Sequence, residues 1–343
     1  MTIRRPVSGS INGVTHLVWA VALLALLAWP NSSAGDDADR PLRPEALSPV
    51  VVPRHLNPGK VSLGRQLFQD PILSRKGMLS CSSCHGLHSG GTVRVRRTVG
   101  YEGRMHAFNA PTIFNVGNNH RLGWRGSTTS LAAQNLKVLL DPNLMGNQWD
   151  ILLPRLNASE KYRRQFTVVY GSAADADAVL DALVTFQRSL VTPDAPFDRY
   201  LQGDETALSA RQKVGYRLFR DYGCVSCHQG SNVGGNMLQI FGVFGDPDTR
   251  RSLAASDVET RLEDNDRSWD VFRVPSLRNV ELTAPYFHDG RTDTLRDAIS
   301  IMGKSQLGRD LPDRDIEAIE SFLKSLTGTY DGKALSSPAE GSR

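Results

Sequence analysis

The sequence has no block of Lys and Arg residues and no cluster of aromatic side chains that could stack on bases. Of its 40 Lys and Arg residues, Arg4 and Arg5 lie near the N-terminus, which leaves 38 against 36 Asp and Glu residues. A nearly balanced charge without a basic patch gives no reason to expect nucleic acid as a partner.

The sequence also lacks a hydrophobic run long enough to cross a membrane comfortably. The apolar stretch from Leu17 to Trp29 is shorter than the roughly 20 residues that a transmembrane helix needs. Arginines precede this stretch and small residues follow it up to Ala34, the order typical of a secretory signal peptide. We therefore expect residues 1–34 to be a cleaved signal peptide, with an uncleaved membrane anchor as the alternative.

Cysteine is scarce: all four cysteines fall in two Cys-x-x-Cys-His runs, Cys81–His85 and Cys224–His228. In each run the cysteines lie about one helical turn apart, so both sulfurs can bond one porphyrin, and the following histidine can reach its iron. The alternatives are a redox-active cysteine pair and a zinc site, but a zinc site built from all four cysteines leaves the two histidines unexplained. The pattern predicts two covalently attached haem c groups, on Cys81, Cys84 and His85 and on Cys224, Cys227 and His228.

The number of cysteines also indicates in which cellular compartment the protein is located. No cysteine remains for a structural disulfide, and haem is attached to such motifs outside the cytoplasmic membrane. Together with the predicted signal peptide, this favours a periplasmic protein.

Hydrophobic periodicity predicts helices from about Pro58 to Gln69, over residues 130–140 and over about residues 174–190. Strand patterns are scarce in both halves of the chain. The sequence therefore predicts an all-α fold.

Segments of the first half recur in the second half. Gly64–Phe68, before the first haem motif, is similar to Gly215–Phe219, before the second, and Ala182–Leu190 is similar to Ala318–Leu326. We expect two cytochrome-c-like haem domains related by an internal repeat. The expected organisation is a signal peptide (1–34), an extended lead-in (35–56), an N-terminal domain (57–192), a linker (193–205), a C-terminal domain (206–330) and a disordered tail (331–343).

The order of motifs resembles that of the bacterial dihaem cytochrome c peroxidase family, which includes the dihaem enzyme that matures methylamine dehydrogenase. The resemblance spans about residues 57–326 and is carried by four segments: Leu63–Phe68, Asn109–Thr112, Val274–Val280 and Pro285–Gly290. It implies a C-terminal haem of high potential that accepts electrons and an N-terminal haem that reacts with peroxide.

For the second haem, the resemblance implies that Met302 is the sixth iron ligand, and a thioether raises the potential of a haem that passes electrons. The alternatives are a core methionine and His288 as the ligand. Trp124 matches a tryptophan between the two haems, where it would carry electrons, hold the interface, or do both. Asn109, Thr283 and Pro285 match positions that hold a calcium ion through oxygen atoms.

The first haem site departs from the family pattern. Peroxide activation needs a group that moves a proton between the peroxide oxygens, and Leu144 stands where the family has a glutamate. Gln134, a second polar residue of the family site, is retained. Tyr101 stands where many members have a capping histidine, and it is either an iron ligand or an ordinary loop residue. Candidate replacements for the glutamate are Glu102, His106, His88, His120 and Asp141.

Three functions remain open at this point. The first is a peroxidase that reduces hydrogen peroxide to water with electrons from a small periplasmic cytochrome c or copper protein. The second is an oxidase of a partner protein's side chain. The third is a dihaem electron-transfer protein or sensor with a degenerate site. A homodimer is compatible with all three, and the sequence leaves dimerisation open.

Overall fold

The computed structural model describes residues 45–245 and 271–336, so the predicted signal peptide lies outside the described residues. This part of the chain is helical, and its few strands form two small antiparallel sheets. The helices are α1 Pro58–Gln69, α2 Leu131–Leu140, α3 Trp149–Ala158, α4 Glu160–Tyr170, α5 Ala176–Ser189, α6 Pro196–Leu201, α7 Ala210–Asp221, α8 Leu295–Leu307 and α9 Asp313–Lys324. The strand pairs are β1 Leu238–Ile240 with β2 Val271–Arg273, and β3 Thr329–Tyr330 with β4 Lys333–Ala334.

The helical class that the sequence predicts is confirmed, and the three predicted helices correspond to α1, α2 and α5. Their starts are set by capping side chains: Asn57, Ser130 and Asp175 each accept a hydrogen bond from a backbone N–H of the first turn. No helix of residues 45–245 and 271–336 combines the length and the apolar character that a membrane crossing requires.

In the first half, α1 and α5 cross so closely that the contact requires glycine. A Cβ atom on Gly64 would lie 2.0 Å from the carbonyl oxygen of Ala182. Phe68 and Phe186 are fully buried beside this crossing, and their rings meet edge-on with centroids 5.3 Å apart. The crossing therefore fixes the end of α1, from which the chain leads into the first Cys-x-x-Cys-His run.

In the second half, α7 and α9 cross in the same way. A Cβ atom on Gly215 would lie 1.9 Å from the carbonyl oxygen of Ala318. The rings of Tyr216 and Phe219 lie 5.2 and 5.3 Å from that of Phe322. Both crossings thus use matching positions of the segments that are similar in sequence.

The predicted linker, residues 193–205, differs from the structure because it contains α6. Pro196 occupies the first helical position, where a missing N–H costs nothing. Phe197 is fully buried, and its ring lies 5.0 Å from that of Phe322. The middle of the predicted linker is therefore a helix that belongs to the second core.

The predicted disordered tail, residues 331–343, also differs at its start. Asp331 and Gly332 have φ angles of 48° and 72°, the left-handed pair that connects a two-residue hairpin. This turn pairs β4 with β3. Tyr330 packs on Phe114 with ring centroids 5.0 Å apart, so the hairpin is attached to the first core. Residues 337–343 lie outside the described part of the chain.

The lead-in segment is bound to the second half by main-chain hydrogen bonds to a buried ion pair. Arg278 and Asp198 approach to 2.8 Å, and both side chains are almost completely buried. Arg278 also donates to the carbonyl oxygens of Ser48 and Ser231. One guanidinium therefore joins the lead-in, α6 and the loop after the second Cys-x-x-Cys-His run.

The glycine contacts predict a specific loss of stability. Gly64→Ala and Gly215→Ala should each lower the free energy of unfolding by about 1–3 kcal/mol, because an added methyl group overpacks a helix crossing. Gly117→Ala is the matched control, since a Cβ there meets no atom closer than 3.4 Å. Thermal unfolding of the haem-loaded proteins measures the effect, and equal midpoints for all three variants would contradict the requirement for glycine.

Candidate functional site

The first Cys-x-x-Cys-His run forms a single tight turn at Cys81–Ser83. Ser80 caps this turn, and the His85 N–H donates to the carbonyl oxygen of Cys81 at 2.9 Å. Behind the imidazole, Nδ1 of His85 lies 3.3 Å from the carbonyl oxygen of Gly91. Burial lowers the pKa of His85, so the ring is kept neutral.

The second run repeats this geometry at Cys224–Ser226. The His228 N–H donates to the carbonyl oxygen of Cys224 at 3.0 Å, and Nδ1 lies 3.2 Å from the carbonyl oxygen of Val233. Burial lowers the pKa of His228 to about 4. In both histidines an Nδ1–H that donates to a carbonyl leaves the Nε2 lone pair for a metal.

The thiols of these runs differ from those of metal-thiolate or redox-active sites, which have lowered pKa values. Burial raises the pKa of Cys81 to about 12 and that of Cys224 to about 11. Over residues 45–245 and 271–336, no group of three or more His, Cys, Asp and Glu side chains is arranged to hold a metal ion. The raised thiol pKa values disfavour a redox-active dithiol, and the lack of such a group among the described residues disfavours a zinc site.

A cavity of about 440 Å³ lies against the second run. Cys224, Cys227 and His228 line it together with Met302 of α8. Its remaining wall is largely apolar and includes Phe219, Leu277, Leu295, Ile299, Ile319 and Leu323. Two attachment sulfurs, an imidazole and a thioether around one apolar cavity form the ligand set of a c-type haem, so these residues fit the predicted cofactor.

Trp124 forms part of the wall of the same cavity. Its indole N–H donates to the carbonyl oxygen of Asn109 at 3.0 Å, which fixes the orientation of the ring. His288 also lines the cavity, and its ring stacks on that of Phe272 with centroids 4.0 Å apart. The structure thus brings a residue from between the two runs, Trp124, to the second one.

Two of the three residues predicted to hold calcium meet beside this cavity. The side-chain amide of Asn109 donates to the carbonyl oxygen of Pro285 at 3.0 Å. Its Oδ1 atom is buried and has no hydrogen-bond partner in the described part of the chain. The Thr283 hydroxyl, by contrast, donates to the carbonyl oxygen of Val280 at 3.0 Å.

Leu144 and Tyr101, the two residues predicted to depart from the family pattern, are neighbours. The Tyr101 N–H donates to the carbonyl oxygen of Leu144 at 2.8 Å. The Tyr101 ring lies over Gly146, where an added Cβ would come within 2.8 Å of it. Gln134, on α2, accepts a hydrogen bond from the Thr128 hydroxyl at 2.7 Å, so its amide is oriented by the loop that carries Trp124.

Each candidate replacement for the family's glutamate either forms an ion pair or a hydrogen bond within the protein or lies exposed at the surface. Glu102 lies 2.7 Å from Lys76 and 3.7 Å from Arg104, and the hydrogen bond from Lys76 is the main cause of its lowered pKa. His106 accepts from a backbone N–H at 3.2 Å, and Asp141 accepts from that of Asn143 at 2.8 Å. The other two, His88 and His120, lie at the surface.

Sequence reasoning missed three features of the second site and its counterpart. The carbonyl groups of Gly91 and Val233 orient the two histidines, but a backbone acceptor leaves no mark in the sequence. Arg273 is buried and lines the cavity. The only feature of the sequence that could have indicated a role for Arg273 is its position directly before the Val274–Val280 segment.

Comparisons with known proteins show which family the chain belongs to. A model of the family described as di-haem cytochrome c peroxidase matches residues 58–206. The cytochrome c551 peroxidase of Nitrosomonas europaea is 38% identical over 285 residues, which cover 83% of this chain and 84% of that protein. The methylamine utilization protein MauG of Methylorubrum extorquens is 34% identical over 256 residues, covering 74% of this chain and 70% of that protein.

The fold gives the same result. A solved structure of a MauG-like protein associated with microbial copper homeostasis has a TM-score of 0.66 at 27% identity and covers 85% of this chain and 95% of that one. The relatives match across most of their length, so the similarity is not confined to the haem motifs. The chain therefore belongs to the di-haem cytochrome c peroxidase family of oxidoreductases.

Proposed function

We propose that the protein is a periplasmic peroxidase with two covalently bound haem c groups, made as a precursor with a signal peptide at residues 1–34. Residues 57–192 and 206–330 would form two haem domains related by an internal repeat. The matched helix crossings at Gly64 and Gly215 support the repeat. Cys81, Cys84 and His85 would hold the first haem, and Cys224, Cys227 and His228 the second.

The cavity beside the second run carries this proposal. When bound, haem would supply one-electron chemistry and a centre at which hydrogen peroxide is reduced to water. His228 and Met302 would bind the second iron. Because a methionine ligand favours a high potential, this site suits electrons delivered by a small cytochrome c or copper protein.

Trp124 would connect the two sites. Its indole faces the second cavity, and its loop is tied to Gln134 of the first site through Thr128. The hydrogen bond to Asn109 holds the ring in place. Trp124 would therefore both maintain the contact between the halves and shorten the path of an electron.

At the first site, Gln134 would orient the substrate by hydrogen bonding, since an amide can donate and accept but does not titrate. The Leu144 side chain can neither donate nor accept a hydrogen bond, and it cannot carry a proton. We infer that proton transfer here is slower than in relatives with a carboxylate at this position.

We further propose that Asn109, Thr283 and Pro285 hold a calcium ion. Oxygen ligands suit this cation, and rotation of the Asn109 amide would direct its buried Oδ1 toward the Pro285 carbonyl. Assembly of two chains into a homodimer is also proposed, because it is compatible with each of the three functions.

A second candidate is a dihaem electron-transfer or sensor protein that no longer turns over peroxide. Its support comes from Leu144 and from the ion pairs that hold Glu102 at the surface. Oxidation of a partner protein's side chain is a third option, raised by the similarity to MauG.

Removal of both cysteines from one run tests the haem assignment. Replacing Cys81 and Cys84 together by alanine, or Cys224 and Cys227 together, should each lower the intact mass by one haem, because no thioether can form there. Ser226→Ala, in the second turn, is the control and should keep both haems. A double variant that retains two covalent haems would overturn the assignment.

Leu144→Glu tests the first site. Restoring a carboxylate should raise kcat/KM for peroxide by about 10²-fold, the lower end of the usual contribution of general acid–base catalysis. Leu140→Glu places the same group at the last residue of α2, four positions before Leu144, where the side chain is already 39% exposed, and should leave the rate unchanged. The rate of peroxide-dependent oxidation of a reduced cytochrome measures both, and equal rates in the two variants would count against the proposal.

Met302→His tests the second site. Replacing a thioether by an imidazole should lower the midpoint potential of one haem by more than about 59 mV, a tenfold change in the one-electron equilibrium constant. Met105→His, at a 61% exposed position, should move neither potential. Spectroelectrochemical titration follows both haems, and two unchanged potentials in Met302→His would exclude Met302 as a ligand.

A further inference from the structure

Arg273 is a buried cation at the end of β2. Only 4% of the residue is exposed. Its backbone N–H donates to the carbonyl oxygen of Trp124 at 2.8 Å, and Nε donates to that of Gly123 at 2.9 Å. These two bonds fix the side chain beside the indole ring, whose centroid lies 6.0 Å from the guanidinium carbon.

No carboxylate in the described part of the chain compensates this charge. Burial alone lowers the pKa of Arg273 to about 10, without any contribution from an acidic neighbour. Its two terminal nitrogens make no hydrogen bond to residues 45–245 or 271–336. A buried arginine normally has an anionic partner, because an unpaired buried charge is costly.

The cavity at the second run shows where such a partner would lie. Among the described residues that line it, Arg273 is the only Lys, Arg, Asp or Glu. A haem brings two propionate carboxylates into its site. The cavity thus offers one fixed positive charge and no fixed negative charge to a cofactor that carries anions.

We propose that Arg273 is the counter-ion of a propionate of the second haem and thereby helps to set the reduction potential of that haem. A guanidinium can bind a carboxylate with two parallel N–H groups. In the Arg273 side chain only Nε is used in a hydrogen bond to the described residues, so both terminal nitrogens can donate to a propionate. The proposal rests on the assignment of the second haem to the cavity of His228 and Met302.

The sign of the effect follows from electrostatics. Reduction adds one negative charge to the haem, and a nearby cation stabilises that charge strongly in a site from which water is excluded. Arg273 therefore favours the reduced state, and its removal lowers the potential. The same side chain holds the Trp124 loop through Gly123, so it would place the charge beside the proposed electron path.

Spectroelectrochemical titration of the haem-loaded protein tests this role without measuring peroxidase activity. The second haem is first identified as the one whose potential changes in Met302→His. Arg273→Met, which removes the charge, should lower the potential of that haem by about 59 mV or more, a tenfold change in the one-electron equilibrium constant. Arg273→Gln should act in the same direction, which provides a second neutral variant if the first does not fold.

Two variants separate charge from packing. Arg273→Lys keeps the charge and should lower the potential of the second haem by no more than half as much as Arg273→Met does. Arg125→Met removes a charge whose guanidinium carbon lies 4.3 Å from the Phe272 ring centroid, close to the cavity but outside its lining, and should move the potential much less. Intact mass should show two covalent haems in every variant.

Three outcomes would overturn the proposal. The potential of the second haem could stay unchanged in both neutral variants, Arg273→Lys could shift as far as Arg273→Met, or only the first haem could respond. Each outcome is a midpoint potential that can be measured whether or not the protein reduces peroxide. Failure of this proposal is therefore distinct from failure of the proposed function.

Discussion

The close crossing of two helices at a glycine is the contact on which each haem site depends. At Gly64 and Gly215 the helix backbones approach so closely that no Cβ can be accommodated. Each crossing holds a phenylalanine four residues later, and the rings of Phe68 and Phe219 lie 6.5 and 6.3 Å from the rings of His85 and His228. The glycine thus positions the aromatic side chain, and the aromatic side chain packs against the histidine that would bind iron.

The sequence predicted the parts of this arrangement that depend on local spacing. The haem runs are contiguous motifs, and α1 has an uninterrupted apolar face between an asparagine cap and an Asp-Pro stop. Helices α3, α4, α6 and α8 were not predicted, and Pro154 inside α3 interrupts the pattern there. The carbonyl partners of the histidines and the burial of Arg273 depend on contacts between distant segments, which periodicity cannot reveal. The roles of Met302, Trp124 and the calcium residues came from the resemblance and stay predictions.

The two positions at which the first site is predicted to depart from the family pattern, Tyr101 and Leu144, lie next to each other. The Tyr101 N–H donates a hydrogen bond to the carbonyl oxygen of Leu144, which fixes the main chain of the two positions relative to each other. Glu102 follows Tyr101 immediately, yet Lys76 and Arg104 hold it in ion pairs. Of the candidate replacements for the family's glutamate, Glu102 is therefore paired with two cations. At the second site, by contrast, Cys224, Cys227, His228 and Met302 line one cavity, as the proposed electron-carrying haem would require.

Whether electrons from both haems reach peroxide is tested most directly by anaerobic titration of the two-electron-reduced protein with hydrogen peroxide, followed by absorbance. Reduction of one peroxide to two waters consumes two electrons and two protons. A peroxidase of this design is therefore predicted to be oxidised at both haems by one equivalent of peroxide. If the second haem stays reduced after one equivalent, or if peroxide is not consumed, the proposed electron path from the Met302 site to the His85 site is contradicted.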